Sequence, residues 1–242
     1  MTTTLNLEVL EKITLEDFVQ NKVFPYINIK NTLHNDFYED LIKTLPDINN
    51  FEKAENKTRN YGQQPHDRWG YGGWTDKNLQ ISSSWKKLIK DLNSSKYKKF
   101  ISKLFCTENF ALRFMWHYAA KGQSVSPHYD GPKKLGSHIF YFNDDNWSSS
   151  WGGQTILCFD EKNKIPKESA PNLIDFDNIF FSENSKNSSL IFKNSNKSWH
   201  AVSPLNCPEG NYRKVFIVVI ENESKFEKFK RIFTGYPTRA VT

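Results

Sequence analysis

FALRFMWHYA (110–119) reads as a β-strand, and it opens a series. Four further runs of aromatic and β-branched residues follow it: SHIFYFND (137–144), GGQTILCF (152–159), SSLIFKN (188–194) and YRKVFIVVIE (212–221). Turn signals separate them. Short strands broken at regular intervals predict an all-β sandwich or barrel for this half of the chain. No internal repeat is evident.

Working outward from that series, the N-terminal part is mixed. Residues 5–22 predict a short helix within 14–21, with Thr14 as its cap. FPYINIKN (24–31) suits a pleated surface and reads as a strand. DFYEDLIKTLPD (36–47) reads as a helix capped by Asp36, with Phe37, Leu41, Ile42 and Leu45 as its apolar stripe and Pro46 as its stop. Residues 48–83, rich in Asn, Gly, Gln and Trp, read as a long ordered loop or lid. Residues 83–105 read as two helices broken at Asn93-Ser94-Ser95. On the C-terminal side, SKFEKFKRIF (224–233) reads as a short amphipathic helix. The expected organisation is one domain over 1–242: helices, a strand and a lid loop in 1–105, a strand-rich body in 106–222, and a tail in 223–242.

Composition sets limits on function. With 19 Phe, 10 Tyr and 7 Trp among 242 residues, the core must be aromatic-rich, and disorder is excluded. The net charge of +6 comes from Lys spread over 86–103, 161–167 and 225–231. No dense basic run with interleaved aromatics stands out, so no nucleic-acid partner is expected. Cys106, Cys158 and Cys207 form neither a disulfide framework nor a zinc pattern. The N-terminus does not read as a secretory signal, and no stretch approaches the roughly 18 apolar residues of a membrane span. A cytoplasmic location is the expectation; the oligomeric state is left open.

The chemistry lies in SPHYDG (126–131). Residues i and i+2 of a strand share a face, so His128 and Asp130 converge. SWHAVSP (198–204) offers His200 as a third donor. Two imidazoles and one carboxylate, with positions left open, make the facial triad of non-haem iron(II) oxygenases. Arg213, thirteen residues after His200, shares a strand face with Val215, Ile217 and Val219. A permanent charge on an apolar inward face calls for a carboxylate partner. The other histidines, His34, His66, His117 and His138, read as structural.

Taken together, Tyr118, His128-Tyr129-Asp130, IFYFNDDNW (139–147), WGGQTILCF (151–159), SWHAVSPL (198–205) and YRKVFIVV (212–219) resemble the prolyl 4-hydroxylase-like branch of the Fe(II)/2-oxoglutarate-dependent oxygenases. Residues 24–47 resemble it loosely. The resemblance implies a mainly β fold with flanking helices, whose core is a double-stranded β-helix (jelly-roll, cupin-like) with an N-terminal α/β elaboration. It implies His128, Asp130 and His200 as iron ligands, Arg213 as the anchor of 2-oxoglutarate, and Tyr118 and Tyr141 as cosubstrate contacts. The cofactors implied are Fe(II), 2-oxoglutarate and O₂, with ascorbate supportive. Relatives place Ser or Thr after the Arg, where this chain has Val215 and Ile217. Related halogenases lack the carboxylate ligand, so Asp130 argues for hydroxylation.

The implied reaction is hydroxylation of a C–H bond with release of succinate and CO₂. The substrate is either a prolyl-type residue of a peptide or a free small molecule. Arg68, Trp69 and Trp147 are the candidate substrate contacts, and the glycines around QQPHDRWGYGGW (63–74) would let that loop close as a lid. A non-catalytic β-sandwich module would not need the complete ligand set, and a zinc hydrolase would carry H-E-x-x-H on a helix.

Overall fold

The computed structural model describes residues 3–21, 23–56, 59–72, 79–144, 146–224, 226, 227 and 229. Gly73, Trp74 and most of the expected tail helix at 224–233 lie outside them.

Among the described residues, five α-helices precede the main run of strands. They are α1 (Leu7–Lys12), α2 (Leu15–Phe18), α3 (Asn35–Lys43), α4 (Ser83–Leu92) and α5 (Ser95–Phe105). Thr14 caps α2 through a reciprocal capping box with Asp17. Ser82 and Ser94 accept from backbone N–H groups at the starts of α4 and α5, so Ser94 makes the break seen in the sequence. Asp36 is not a cap: it lies in the first turn of α3, and the capping position is His34, whose side chain makes no capping bond.

Eleven strands are described: β1 (Tyr26–Lys30), β2 (Glu52–Ala54), β3 (Arg68–Gly72), β4 (Phe110–Ala119), β5 (Val125–His128), β6 (Lys134–Tyr141), β7 (Thr155–Phe159), β8 (Asn178–Phe181), β9 (Ser188–Lys193), β10 (Trp199–Val202) and β11 (Arg213–Asn222). They form a seven-stranded sheet, β1-β9-β6-β11-β4-β3-β2, and a four-stranded sheet, β5-β10-β7-β8, with antiparallel pairing throughout. The expected lid at 48–83 is in part sheet. Trp69 pairs with Tyr118 and Tyr71 with Trp116, so β3 extends the large sheet beyond β4.

Strand alternation divides the large sheet into two faces. Along β4, Leu112, Trp116 and Tyr118 join a core with the helices, as do Phe216, Val218 and Ile220 of the neighbouring β11. Trp85 of α4 is the centre of this layer. It is fully buried, its ring lies 4.9–5.2 Å from those of Phe142, Trp116 and Phe216, and its Nε1 donates to the Leu41 carbonyl at 3.2 Å. The partners on the other face, Arg113, Met115, His117 and Ala119, line a cavity between the two sheets. No helix among the described residues is long and apolar enough to cross a membrane.

Candidate metal centre and cosubstrate pocket

The cavity measures about 330 Å³ and is lined by both sheets. Antiparallel pairing of β10 with β5 sets His200 opposite His128. Asp130 follows β5 in a turn that Asn194 clamps, its amide donating to the carbonyls of Gly131 (3.0 Å) and Lys134 (2.7 Å). One ligand atom from each of His128, Asp130 and His200 lies within 4.8 Å of the others.

Local backbone geometry orients both imidazoles. His128 Nδ1 lies 3.0 Å from the Ser126 carbonyl, and His200 Nδ1 lies 3.0 Å from that of Ser198. A carbonyl only accepts, so each Nδ1 carries the proton and each Nε2 keeps its lone pair for the centre. Burial, joined by the charges of His200 and His66, depresses the His128 pKa well below the usual value. Burial also lowers His200, against the pull of Asp130. Burial alone would raise the Asp130 carboxyl, but Lys134, His200 and His128 outweigh it and hold it well below the ordinary carboxylate range. Lys134 Nζ is 2.7 Å from Asp130 Oδ2. Two neutral imidazoles and an ionised carboxylate, converging at the edge of a cavity, are the donor set that iron(II) takes with positions left open.

Arg213 begins β11 on the cavity face and is 6% exposed. Its Nε donates to the Gly153 carbonyl at 2.5 Å and one terminal nitrogen to Thr155 Oγ1 at 3.2 Å. Its guanidinium carbon sits 5.7 Å from the centre of the Tyr141 ring. Among the described residues, no carboxylate lies within ion-pair distance of it. Gly153 makes the approach possible: its φ is +78°, and a Cβ there would stand 3.0 Å from Arg213 Cδ. A buried guanidinium without an acid suits the far carboxylate of a dicarboxylic cosubstrate.

Residues 114–220 match the family model of the 2OG-Fe(II) oxygenase superfamily. This chain carries a 2OG-Fe(II) oxygenase domain. The oxygenase is a 2-oxoglutarate-dependent dioxygenase that requires Fe(II) and 2-oxoglutarate. Its fold is the double-stranded β-helix of solved relatives. One is a prolyl hydroxylase from Trichoplax adhaerens in complex with a hypoxia inducible factor peptide, 16% identical, covering 95% of this chain and 94% of that one at a TM-score of 0.60. A prolyl-4-hydroxylase from Pseudomonas putida is 10% identical over 90% and 98% of the two chains, with a TM-score of 0.59. HygX from Streptomyces hygroscopicus, solved with nickel, 2-oxoglutarate and hygromycin B, is 11% identical over 87% and 88%, also at 0.59. A search of curated proteins finds no match.

The oxygenase cavity departs from the sequence reading at several residues. Tyr118 does not reach it. Its side chain points to the helical layer, donates to the Pro46 carbonyl at 3.1 Å and packs on Phe51 at 4.3 Å. Its neighbour His117 lines the cavity instead, since adjacent strand residues face opposite ways. Tyr141 stands behind Arg213, and its hydroxyl is engaged by Thr155 (2.8 Å) and Ser182 (2.7 Å). Arg68 lines the cavity, whereas Trp69, one residue on, faces away against Tyr212. Trp147 is a hairpin residue: its Nε1 donates to the Gly152 carbonyl and its ring meets Trp151 edge-on.

Two residues escaped the sequence reading. Thr155 brings a hydroxyl from the small sheet to Arg213, 3.2 Å from a terminal nitrogen. The Gly-Gly turn before it is the signal that could have placed it near Arg213. His66, expected from the sequence to be structural, lines the cavity with its ring 4.6 Å from that of His128; burial first, then Arg59, Arg68 and His200, lowers its pKa to about 3.

Proposed function

We propose that the chain works as one catalytic unit that hydroxylates a C–H bond of a free small molecule, with His128, Asp130 and His200 holding iron and Arg213 and Thr155 seating 2-oxoglutarate. The observation that carries the site assignment is the pairing of a converging two-His, one-carboxylate set with an acid-free buried guanidinium in one cavity. The single-unit reading is supported by β1 and β3, which pair with β9 and β4 of the catalytic body.

Iron and 2-oxoglutarate, when bound, would use O₂ to oxidise a C–H bond, one oxygen atom entering the succinate released with CO₂ and the other the new hydroxyl. The residues here do the rest. Ser126 and Ser198 hold the ring protons on Nδ1. Arg213 fixes the cosubstrate's far end by charge and a forked pair of donors. Ile139, Phe192, Ile217 and Val219 make the wall apolar and exclude water from the reacting centre.

Segment 59–68 favours a small substrate over a prolyl-type residue of a peptide. His66 packs its edge on His128, and Gln63 Nε2 donates to the Ser169 carbonyl at 3.2 Å, tying the segment to the loop beyond β7. A peptide would need that path clear.

The test is iron content and succinate formation by the purified protein with 2-oxoglutarate and ascorbate. His128→Ala is expected to lose iron and activity together. Arg213→Ala is expected to keep iron while KM for 2-oxoglutarate rises by about thirty-fold or more, the loss of about 2–5 kcal/mol that follows removal of one partner from a buried charge pair. Unchanged succinate formation in both variants would overturn the assignment.

A further inference from the structure

The cavity holds more positive charge than one cosubstrate can use. Arg68, Arg113, Lys134 and Arg213 all line it. Arg113 is paired with Glu221 at 2.8 Å and Lys134 with Asp130 at 2.7 Å. On the reading above, Arg213 belongs to 2-oxoglutarate. Arg68 remains. Among the described residues it donates to the His66 carbonyl at 3.2 Å, and no carboxylate lies within ion-pair distance. Arg59 stands with it, and its Nη1 is buried without a hydrogen-bond partner. The two are neighbours in charge: Arg68 acts against Arg59, Asp130 reaches Arg59 by charge without an ion pair among the described residues, and Arg59 acts on His66, His128 and His200.

Two guanidiniums withdrawn from water beside one another repel, and each loses hydration. An arrangement of this kind is stabilised when an oxyanion bridges the forks, each guanidinium giving two parallel N–H donors. Alternative acids on the protein are accounted for: Asp67 accepts from the Asn56 N–H, and Asp130 is held by Lys134 and faces the two histidines.

We infer that Arg59 and Arg68 form a second anion site, separate from Arg213, which grips the carboxylate or phosphate of a small anionic substrate. This deepens the small-molecule reading and rests on it. The site sets the substrate's orientation: its charged end lies under segment 59–68, and the C–H bond to be oxidised is presented toward the His128, Asp130 and His200 side.

Binding to the full chain loaded with Mn(II), measured calorimetrically without oxygen, tests this. The probes are succinate, for a carboxylate, and inorganic phosphate. The wild type should bind one equivalent of succinate at Arg213 and a second equivalent of one of the two probes. Arg213→Gln should lose the first and keep the second. The Arg59→Gln, Arg68→Gln double variant should do the reverse, and its retained equivalent shows that it is folded. If the double variant loses both, Arg59→Gln alone decides: second-site affinity weakened ten-fold or more supports the site, and an unchanged value overturns it. A single succinate equivalent that vanishes in Arg213→Gln, with no phosphate bound, overturns the second site and leaves the cosubstrate assignment standing. Loss of nothing in Arg213→Gln overturns the cosubstrate assignment instead. Phosphate in place of succinate as the second equivalent identifies the substrate's anion as a phosphate.

Discussion

The two faces of β4 and β11 are built from the same strands and lead opposite lives. Leu112, Trp116 and Tyr118, with Phe216, Val218 and Ile220, meet the helices in a dry aromatic layer. Arg113, Met115 and His117, with Arg213, Ile217 and Val219, meet the second sheet across a cavity. Each residue differs from its neighbour by one step along the chain. The helical face is filled, so its residues act through packing. The cavity face is charged and open, so its residues act on what enters. A substitution should therefore move stability on one face and ligand affinity on the other.

Trp116→Ala should break the helical face with the largest effect. Trp116 is fully buried against Trp85, Tyr71 and Phe216, and its truncation is expected to cost about 3–5 kcal/mol in a denaturant melt. KM for 2-oxoglutarate should stay near wild type where the variant is folded. A stability loss under about 1 kcal/mol would mean the layer is not the packed core described.

Thr155→Val probes the other face. It removes a hydroxyl bonded to the Arg213 guanidinium, and hydrogen bonds to charged groups contribute about 1.5–3 kcal/mol. KM for 2-oxoglutarate is expected to rise at least ten-fold, read from initial rates of succinate release. An unchanged KM would put Arg213 alone in charge of the cosubstrate.

Both faces hide a neutral histidine, and acid should expose this. Burial lowers His138, on the helical face and bonded to Tyr97 at 2.8 Å, to about 3, and holds His117, on the cavity face, well below its usual value. In the unfolded chain each titrates near 6.5. Below about pH 6.5, and for His138 down to about 3, the unfolded state therefore binds more protons, so stability falls as pH drops, by up to about 1.4 kcal/mol per pH unit for each group. His138→Gln should flatten the pH dependence of urea unfolding in that window. An equally steep dependence would show that His138 is not held neutral.

The smallest effect separates Tyr118 from the cosubstrate. Tyr118→Phe removes only the bond to the Pro46 carbonyl, so about 1 kcal/mol of stability should go. KM for 2-oxoglutarate should not move; a clear rise would return Tyr118 to the pocket.

Much of the fold was legible because it depends on local pattern. The five strand runs read from the sequence all appear, as do the break at Ser94 and the cap at Thr14. β8 was missed, since NIFF lies in a loop of polar residues and is half exposed. β3 was missed because its glycines signal a turn, whereas pairing with β4 holds them extended. At the site, the H-x-D spacing and the lone Arg of β11 were visible in the chain itself. Tyr118 and His117 were exchanged because a strand's period of two says which residues share a face, but not which face is inward.

By itself the sequence determined the donor types, their spacing and the strand-rich body that carries them, because ligand chemistry and backbone periodicity are local properties. Only the tertiary structure decided which side of β4 looks at the metal centre, that Thr155 comes to Arg213 from the other sheet, and that Arg68 lines the cavity while Arg59 Nη1 is buried, neither with an ion-paired acid among the described residues. These depend on which strands pair and what packs over them, and a long-range register is set by the whole chain's burial, not by any one segment of it.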